Sequence, residues 1–109
     1  MNSYSKGILT EYIVCLYLLF KFYKIKIHRY RNVFGEIDII AKHGKTYVFV
    51  EVKYRNNIKD MSYLVTERQR KRIIRTAEMY AADNKINSFR FDVILVHRFK
   101  IRHFKNTFF

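Results

Sequence analysis

Residues 35–53 read Gly-Glu-Ile-Asp-Ile-Ile-Ala-Lys-His-Gly-Lys-Thr-Tyr-Val-Phe-Val-Glu-Val-Lys, and the rest of the fold depends on how they pair. Two apolar runs flank His43-Gly44-Lys45, the pattern of two strands joined by a tight turn. A two-residue loop with Gly first suits a type II′ turn, so Gly44-Lys45 is the natural loop. His43 then pairs with Thr46, and counting back sets Asp38 opposite Glu51 and Glu36 opposite Lys53. One face carries Ile37, Ile39 and Ala41 against Val52, Val50 and Val48, and the other carries the charges. A slip of one residue would place Glu51 among the isoleucines, which the pattern forbids.

Directly opposed residues on such a face have Cβ atoms ~5 Å apart. Two carboxylates at that spacing repel, and burying one unpaired costs several kcal/mol or forces it to take up a proton. A hard divalent ion, Mg²⁺ or Mn²⁺, between Asp38 and Glu51 would relieve both costs. Lys53, two residues beyond Glu51 on the same face, would stand beside that ion. There it would orient or polarise a water attacking a phosphodiester and neutralise charge in the transition state. A salt-bridge network of Glu36, Lys53 and nearby Arg is the plainer reading, but it leaves the Asp38–Glu51 pair unexplained. Glu36, Asp38, Glu51 and Lys53 are therefore the candidate catalytic residues.

The hairpin has neighbours on both sides in the chain. A helix is expected from about Ile8 to Phe22, apolar on most sides and so largely buried, with Glu11 near its start and Cys15 inside it. The run Tyr12 to Phe20 is too short to cross a bilayer, which needs ~20 residues. Lys21-Phe22-Tyr23-Lys24 lacks the small residues of a signal-peptide cleavage site. A strand over Lys24 to Arg31 comes next, with Ile25 and Ile27 alternating against Lys24, Lys26 and His28. The site strands run from Gly35 to Lys42 and from Thr46 to Arg55. Thr66 with Gln69 has the form of a capping box opening a helix to about Asp83. Phe89 to His97 and Lys100 to Phe104 read as strands. The expected fold is a mixed β-sheet flanked by helices, in the order α-β-β-β-α-β-β.

At 109 residues, half of them apolar, the chain has room for one domain and one core. Its 22 Lys and Arg against nine Asp and Glu leave a formal charge of +13. A polyanion relieves that self-repulsion. Nucleic acid is the leading partner, an anionic membrane surface the alternative, and oligomeric state stays open. The lone Cys15 excludes an internal disulfide or zinc cluster and is compatible with the cytoplasm. On the second helix Ile73, Ala77 and Tyr80 mark the buried side. Gln69 and Arg70 extend it toward the site, while Arg68, Lys71, Arg72 and Arg75 point outward to contact phosphates or water. Arg31 and Arg55, at the ends of site strands, are candidates to grip the backbone beside the scissile phosphate. The four His lack ligand spacing, with His43 simply in the turn. Tyr54 or Tyr63, if exposed, could stack on a base, and the Phe-rich end from Phe104 to Phe109 covers either the sheet or a partner.

An Asp, a short gap, then Glu51-Val52-Lys53 in an apolar strand resembles the catalytic motif of the PD-(D/E)XK, or restriction-endonuclease-like, nuclease superfamily. More closely, the chain is similar to the YraN family of uncharacterised bacterial proteins. The matching pieces are residues 35–41 and 48–55, Val65-Thr66, Ala77 with Tyr80, and Arg90-Phe91-Asp92-Val93, in order from about Lys6 to Phe108. The resemblance implies a restriction-endonuclease-like core and a nuclease role. Asp38 and Glu51 would hold the metal, Lys53 would assist the water, and Glu11 would approach from the first helix. Thr10 stands where the family usually has Gly, Arg29 where it often has Asn, and Gln69-Arg70 where a Lys-Gln pair is common. Two functions are open: a Mg²⁺- or Mn²⁺-dependent nuclease acting on DNA rather than RNA, or a non-catalytic DNA/RNA-binding module that keeps its acids for structure.

Overall fold

Gly44 takes φ +61°, the sign its turn demands, and His43 pairs with Thr46 in an antiparallel ladder running back to Ile39↔Val50. The computed structural model describes residues 3–56, 65–98 and 100–108. Its elements are α1 (Ser3–Phe20), β1 (Lys24–Asn32), β2 (Gly35–His43), β3 (Thr46–Tyr54), α2 (Glu67–Asp83), β4 (Phe89–His97) and β5 (Lys100–Phe104). The order α-β-β-β-α-β-β is the one expected. The five strands lie in sequence order in one sheet, antiparallel throughout except for the parallel β3–β4 pair. Parallel strands cannot be joined by a tight turn, and α2 lies in the connection between them.

Alternation along the strands divides the core in two. Ile39, Ala41, Val48, Val50, Ile94 and Val96 pack with Val14 and Leu18 of α1. Ile40, Phe49, Phe91 and Val93 pack with Ile73, Ala77 and Tyr80 of α2. The sheet is thus sandwiched between the two helices, the usual way for a sheet to bury both faces. Thr66 caps α2, its hydroxyl accepting from Gln69 N while the Gln69 side chain accepts from Thr66 N, which is the capping box read from the sequence. The Phe-rich end covers the sheet: Phe108 is buried and stacks on Phe91 with ring centres 5.1 Å apart.

Three expectations need correction. The first helix runs from Ser3 to Phe20, not Ile8 to Phe22, and ends where Phe22 turns left-handed at φ 68°. It is not largely buried either, since Leu9, Tyr12, Leu16, Leu19 and Phe20 are exposed. A helix lying on a sheet buries only the side that faces it. In β1 the alternation fails because a bulge falls between Ile25 and Ile27, sending them to opposite faces. Ile37, expected beside Ile39, packs instead with Ile40 on the α2 side. The pleat breaks at Asp38, next to Arg29, whose φ of 61° is uncommon for a residue with a side chain.

Candidate active site

The break at Asp38 builds the site. Beyond Ile39↔Val50 the β2–β3 ladder gives no further pairs, so the expected Asp38–Glu51 and Glu36–Lys53 ladder pairs do not form. Instead Asp38 Oδ2 accepts from the backbone N–H of Val52 at 2.8 Å. A side-chain oxygen takes the place of a ladder carbonyl, and the strands are held together while a gap opens beside them. β2 continues paired to β1 through Arg31↔Glu36 and Asn32↔Gly35. Glu36 accordingly ion-pairs with Arg31, not Lys53, and both side chains are exposed.

Asp38 and Glu51 do share one cavity. A hollow of about 500 Å³ is lined by both carboxyls together with Arg31, Glu36, Gln69 and Arg72. The Glu51 side chain is only 16 % exposed and Lys53 only 15 %, with Lys53 Nζ 4.0 Å from Glu51 Oε1. Burial is the largest influence on Glu51, followed by a hydrogen bond to Asp38 and the charge of Asp38. Lys53 opposes these, Glu11 adds to them, and the balance pushes Glu51 up to about 9. One cation at 4.0 Å therefore fails to offset a buried carboxyl beside another. The shared cavity of Asp38 and Glu51, with Lys53 beside it, is the geometry on which the site rests.

The donors suit a hard divalent ion. Such an ion is commonly held by one or two carboxylates, with waters and substrate phosphate oxygens completing its shell. Among the described residues no group of three or more His, Cys, Asp or Glu is placed to hold a metal. Glu11, implied as a third ligand, has its carboxylate engaged elsewhere. Oε1 accepts from His28 Nε2 at 2.7 Å and from Arg29 Nε at 2.9 Å, while Oε2 accepts from Arg29 Nη2 at 3.3 Å. Its charge still reaches Glu51.

The basic residues divide. Arg31 lines the cavity, and so does Gln69, but the third contributor is Arg72 and not Arg70. Arg70 turns back to Glu67 at 3.1 Å. Arg72 reaches the cavity because Gly35 lets it pass: a Cβ on Gly35 would lie 2.7 Å from Arg72 Cγ. Arg55 donates to its neighbour's carbonyl, Tyr54 O, at 2.9 Å and does not line the cavity. Arg68, Lys71 and Arg75 are exposed, as expected. Tyr54 is half-buried against the α1-side core, and Tyr63 lies outside the described residues. Cys15 is half-buried, and burial pushes its thiol up, away from reactivity.

Sequence reasoning missed a second acid centre. Asp92 is fully buried on the α1 side and accepts from Arg90 (3.0 and 3.2 Å), from His103 Nε2 (2.7 Å) and from the backbone N–H of Asn106 (3.0 Å). Burial alone would raise it, but those donors hold it below the ordinary carboxylate range. Tyr17 bonds the other nitrogen of His103 at 3.0 Å, and Arg90 also donates to Tyr23 at 2.8 Å. The sequence signals were Arg90 two positions before Asp92, on the same strand face, and the family match at Arg90-Phe91-Asp92-Val93. His28 and His103 are thus partners of buried acids, and His43 stacks on Tyr23 at 4.1 Å.

Residues 10–96 match the family model of the uncharacterised protein family UPF0102. The matched region contains Glu11, Asp38, Glu51, Lys53 and Asp92. A UPF0102 protein of Clostridioides difficile is 44% identical, across 99% of this chain and 100% of the relative. Another from Nitrobacter winogradskyi is 37% identical over 86% of this chain and 82% of the relative. A third, from Lachnoclostridium phytofermentans, is 36% identical over 99% and 96%.

Proposed function

The chain belongs to the uncharacterised protein family UPF0102, and we propose that within it this member binds nucleic acid and hydrolyses DNA phosphodiester bonds with Mg²⁺ or Mn²⁺. The observation that carries this reading is that the carboxyls of Asp38 and Glu51 line one cavity, with Lys53 Nζ 4.0 Å from Glu51. The likeness to restriction-endonuclease-like nucleases, in the Asp and Glu-Val-Lys spacing, supports the reaction type. The formal charge of +13 supports the partner. DNA is favoured over RNA by the resemblance, and a DNA substrate goes with a cytoplasmic setting. No described helix is long and apolar enough to cross a membrane.

In this reading Asp38 and Glu51 would hold the metal, Glu51 in its ionised form. The ion would supply Lewis-acid polarisation of the scissile phosphate. Lys53 donates from its ammonium to a water or phosphate oxygen beside Glu51 and offsets negative charge as the bond breaks. Arg31, Arg72 and Gln69 surround the cavity with donors that position the flanking backbone. Arg68, Lys71 and Arg75 extend the positive surface along α2.

A non-catalytic binding module is the second reading, favoured by Glu11 being engaged by His28 and Arg29 instead of joining Asp38 and Glu51. Cleavage of single-stranded, forked and duplex DNA by the native chain, Asp38→Ala and Lys53→Ala, with and without Mn²⁺, separates the two. Native cleavage that needs Mn²⁺ and drops at least ~100-fold in each variant supports catalysis, a loss typical of removing one transition-state contact. Equal rates in all three proteins would exclude a catalytic role for this site.

A further inference from the structure

The hairpin between β1 and β2 breaks a local rule. Asn32 pairs with Gly35, so the connection is two residues long, and those residues are Val33 and Phe34. Such loops favour Asn, Asp and Gly, yet Val33 is 85 % exposed and Phe34 42 %. Two apolar side chains at a solvent-facing tip add nothing to the core, and departures of this kind collect at functional sites.

This tip is held in place. Asn32 Oδ1 accepts from the Phe34 N–H at 2.9 Å, and Asn32 Nδ2 donates to Thr76 O of α2 at 3.1 Å. The guanidinium of Arg75 sits 5.7 Å from the centre of the Phe34 ring. Between the tip and α2 lies a second hollow of about 470 Å³, lined by Phe34, Lys71, Arg72, Ile74 and Arg75. It shares Phe34 and Arg72 with the carboxylate cavity, so the two adjoin. Its lining is one aromatic ring, one aliphatic side chain and three cations, with no acid.

That combination matches an unpaired nucleotide: a flat apolar base carrying a phosphate. We propose that Phe34 and the Arg72–Arg75 segment of α2 form a stacking subsite for one unpaired base next to the cleavage site. The preferred substrate is then DNA with a single-stranded segment, such as a flap, a fork or a free strand. Bases inside a duplex already stack on one another and offer no open face, whereas an unpaired base can stack on an aromatic ring. Volume is adequate, since cavities of ~300–1,000 Å³ commonly hold small organic ligands. This inference rests on the nucleic-acid reading above and narrows its substrate, but it does not depend on cleavage.

Binding measured in EDTA tests it apart from catalysis. The probes are a deoxyoligonucleotide carrying one 2-aminopurine, and a blunt duplex with the same number of phosphates. The native chain should prefer the single strand and change the probe's fluorescence. Phe34→Ala should weaken single-strand binding by about tenfold, within the range for loss of one stacked base, and abolish the fluorescence change. Its duplex affinity should stay put. Phe34→Tyr should restore both losses, which a fold defect would not allow. The idea is overturned if Phe34→Ala weakens both probes alike or neither, or if the native chain binds no DNA. It is equally overturned if an acidic peptide displaces the single strand at lower concentration in a Phe34-dependent manner, because the tip would then be a protein-docking site. Should Asp38→Ala cleave like the native chain while these binding results hold, the catalytic reading fails and the stacking subsite stands.

Discussion

Asp92 and Glu51 stand on adjoining parallel strands, one position out of register, since Asp92 pairs with Val50 and Val93 with Glu51. They face opposite helices. Asp92 has lost all contact with solvent, yet it is held ionised by an arginine, a histidine and a backbone N–H. Glu51, half-buried at the edge of a cavity, has a second carboxyl as its neighbour and one lysine at 4.0 Å. Buried charges are normally paired, and the α1 side of this sheet obeys that rule fully. On the α2 side the acid pair instead lines a cavity shared with Arg31 and Arg72, and burial together with Asp38 raises Glu51 towards its neutral form. The difference teaches that enclosure on this sheet does not by itself recruit a full set of donors, and the proposed metal reading of Asp38 and Glu51 builds on that contrast.

The largest effect expected from this contrast is at Asp92. Asp92→Ala leaves Arg90 and His103 without their acceptor, and breaking such a buried set costs about 3–5 kcal/mol. Urea denaturation should show it as a large fall in midpoint, and a loss under ~1 kcal/mol would erase the distinction between the two centres.

The next effect is one of sign. Asp92 is lowered in the folded chain, so its stabilisation is present above its ordinary value of 3.8 and is lost as pH falls below that. Glu51 is raised from 4.5 to about 9, so its contribution is full below pH 4.5 and is lost as pH rises toward 9. Glu51→Gln, a neutral mimic of the protonated acid, should flatten that alkaline decline in the stability-versus-pH curve. The same proton must leave for a metal to bind. Mn²⁺ affinity should then climb by up to about tenfold per pH unit below 9, and calorimetry in two buffers should record proton release. Affinity independent of pH would remove the metal from this reading.

The smallest effect belongs to the outer face of α2. Lys71→Ala with Arg75→Ala should reduce the slope of log affinity against log salt by about 2, near one for each phosphate contact. An unchanged slope would show that face to be merely solvated.

Much of the architecture was legible because it depends on short-range chemistry. The Gly44 turn, the His43–Thr46 register and the Thr66–Gln69 cap each involve residues a few positions apart whose partners the chain itself dictates. β4 and β5 were read to the residue for the same reason. The β1 bulge and the pleat break at Asp38 were not legible, since both arise from fitting β2 between two strands with different demands. Their consequences were concrete. Ile27 and Ile37 changed faces, Glu36 went to Arg31, and Lys53 came to lie beside Glu51. Arg72 displaced Arg70 at the cavity because a glycine from another element made room for it.

From the order of its residues alone, this chain set its element sequence, its excess of positive charge, and the placement of Asp38, Glu51 and Lys53 on one hairpin. Periodicity and turn geometry act locally, so no knowledge of the rest was needed. Folding in three dimensions decided which acids are neutralised and which are not, and it brought Phe34, Arg72 and Arg75 together around one hollow. Electrostatic compensation depends on distance through space, and His103 reaches Asp92 and Asn32 reaches Thr76 only once the sheet has closed against its helices.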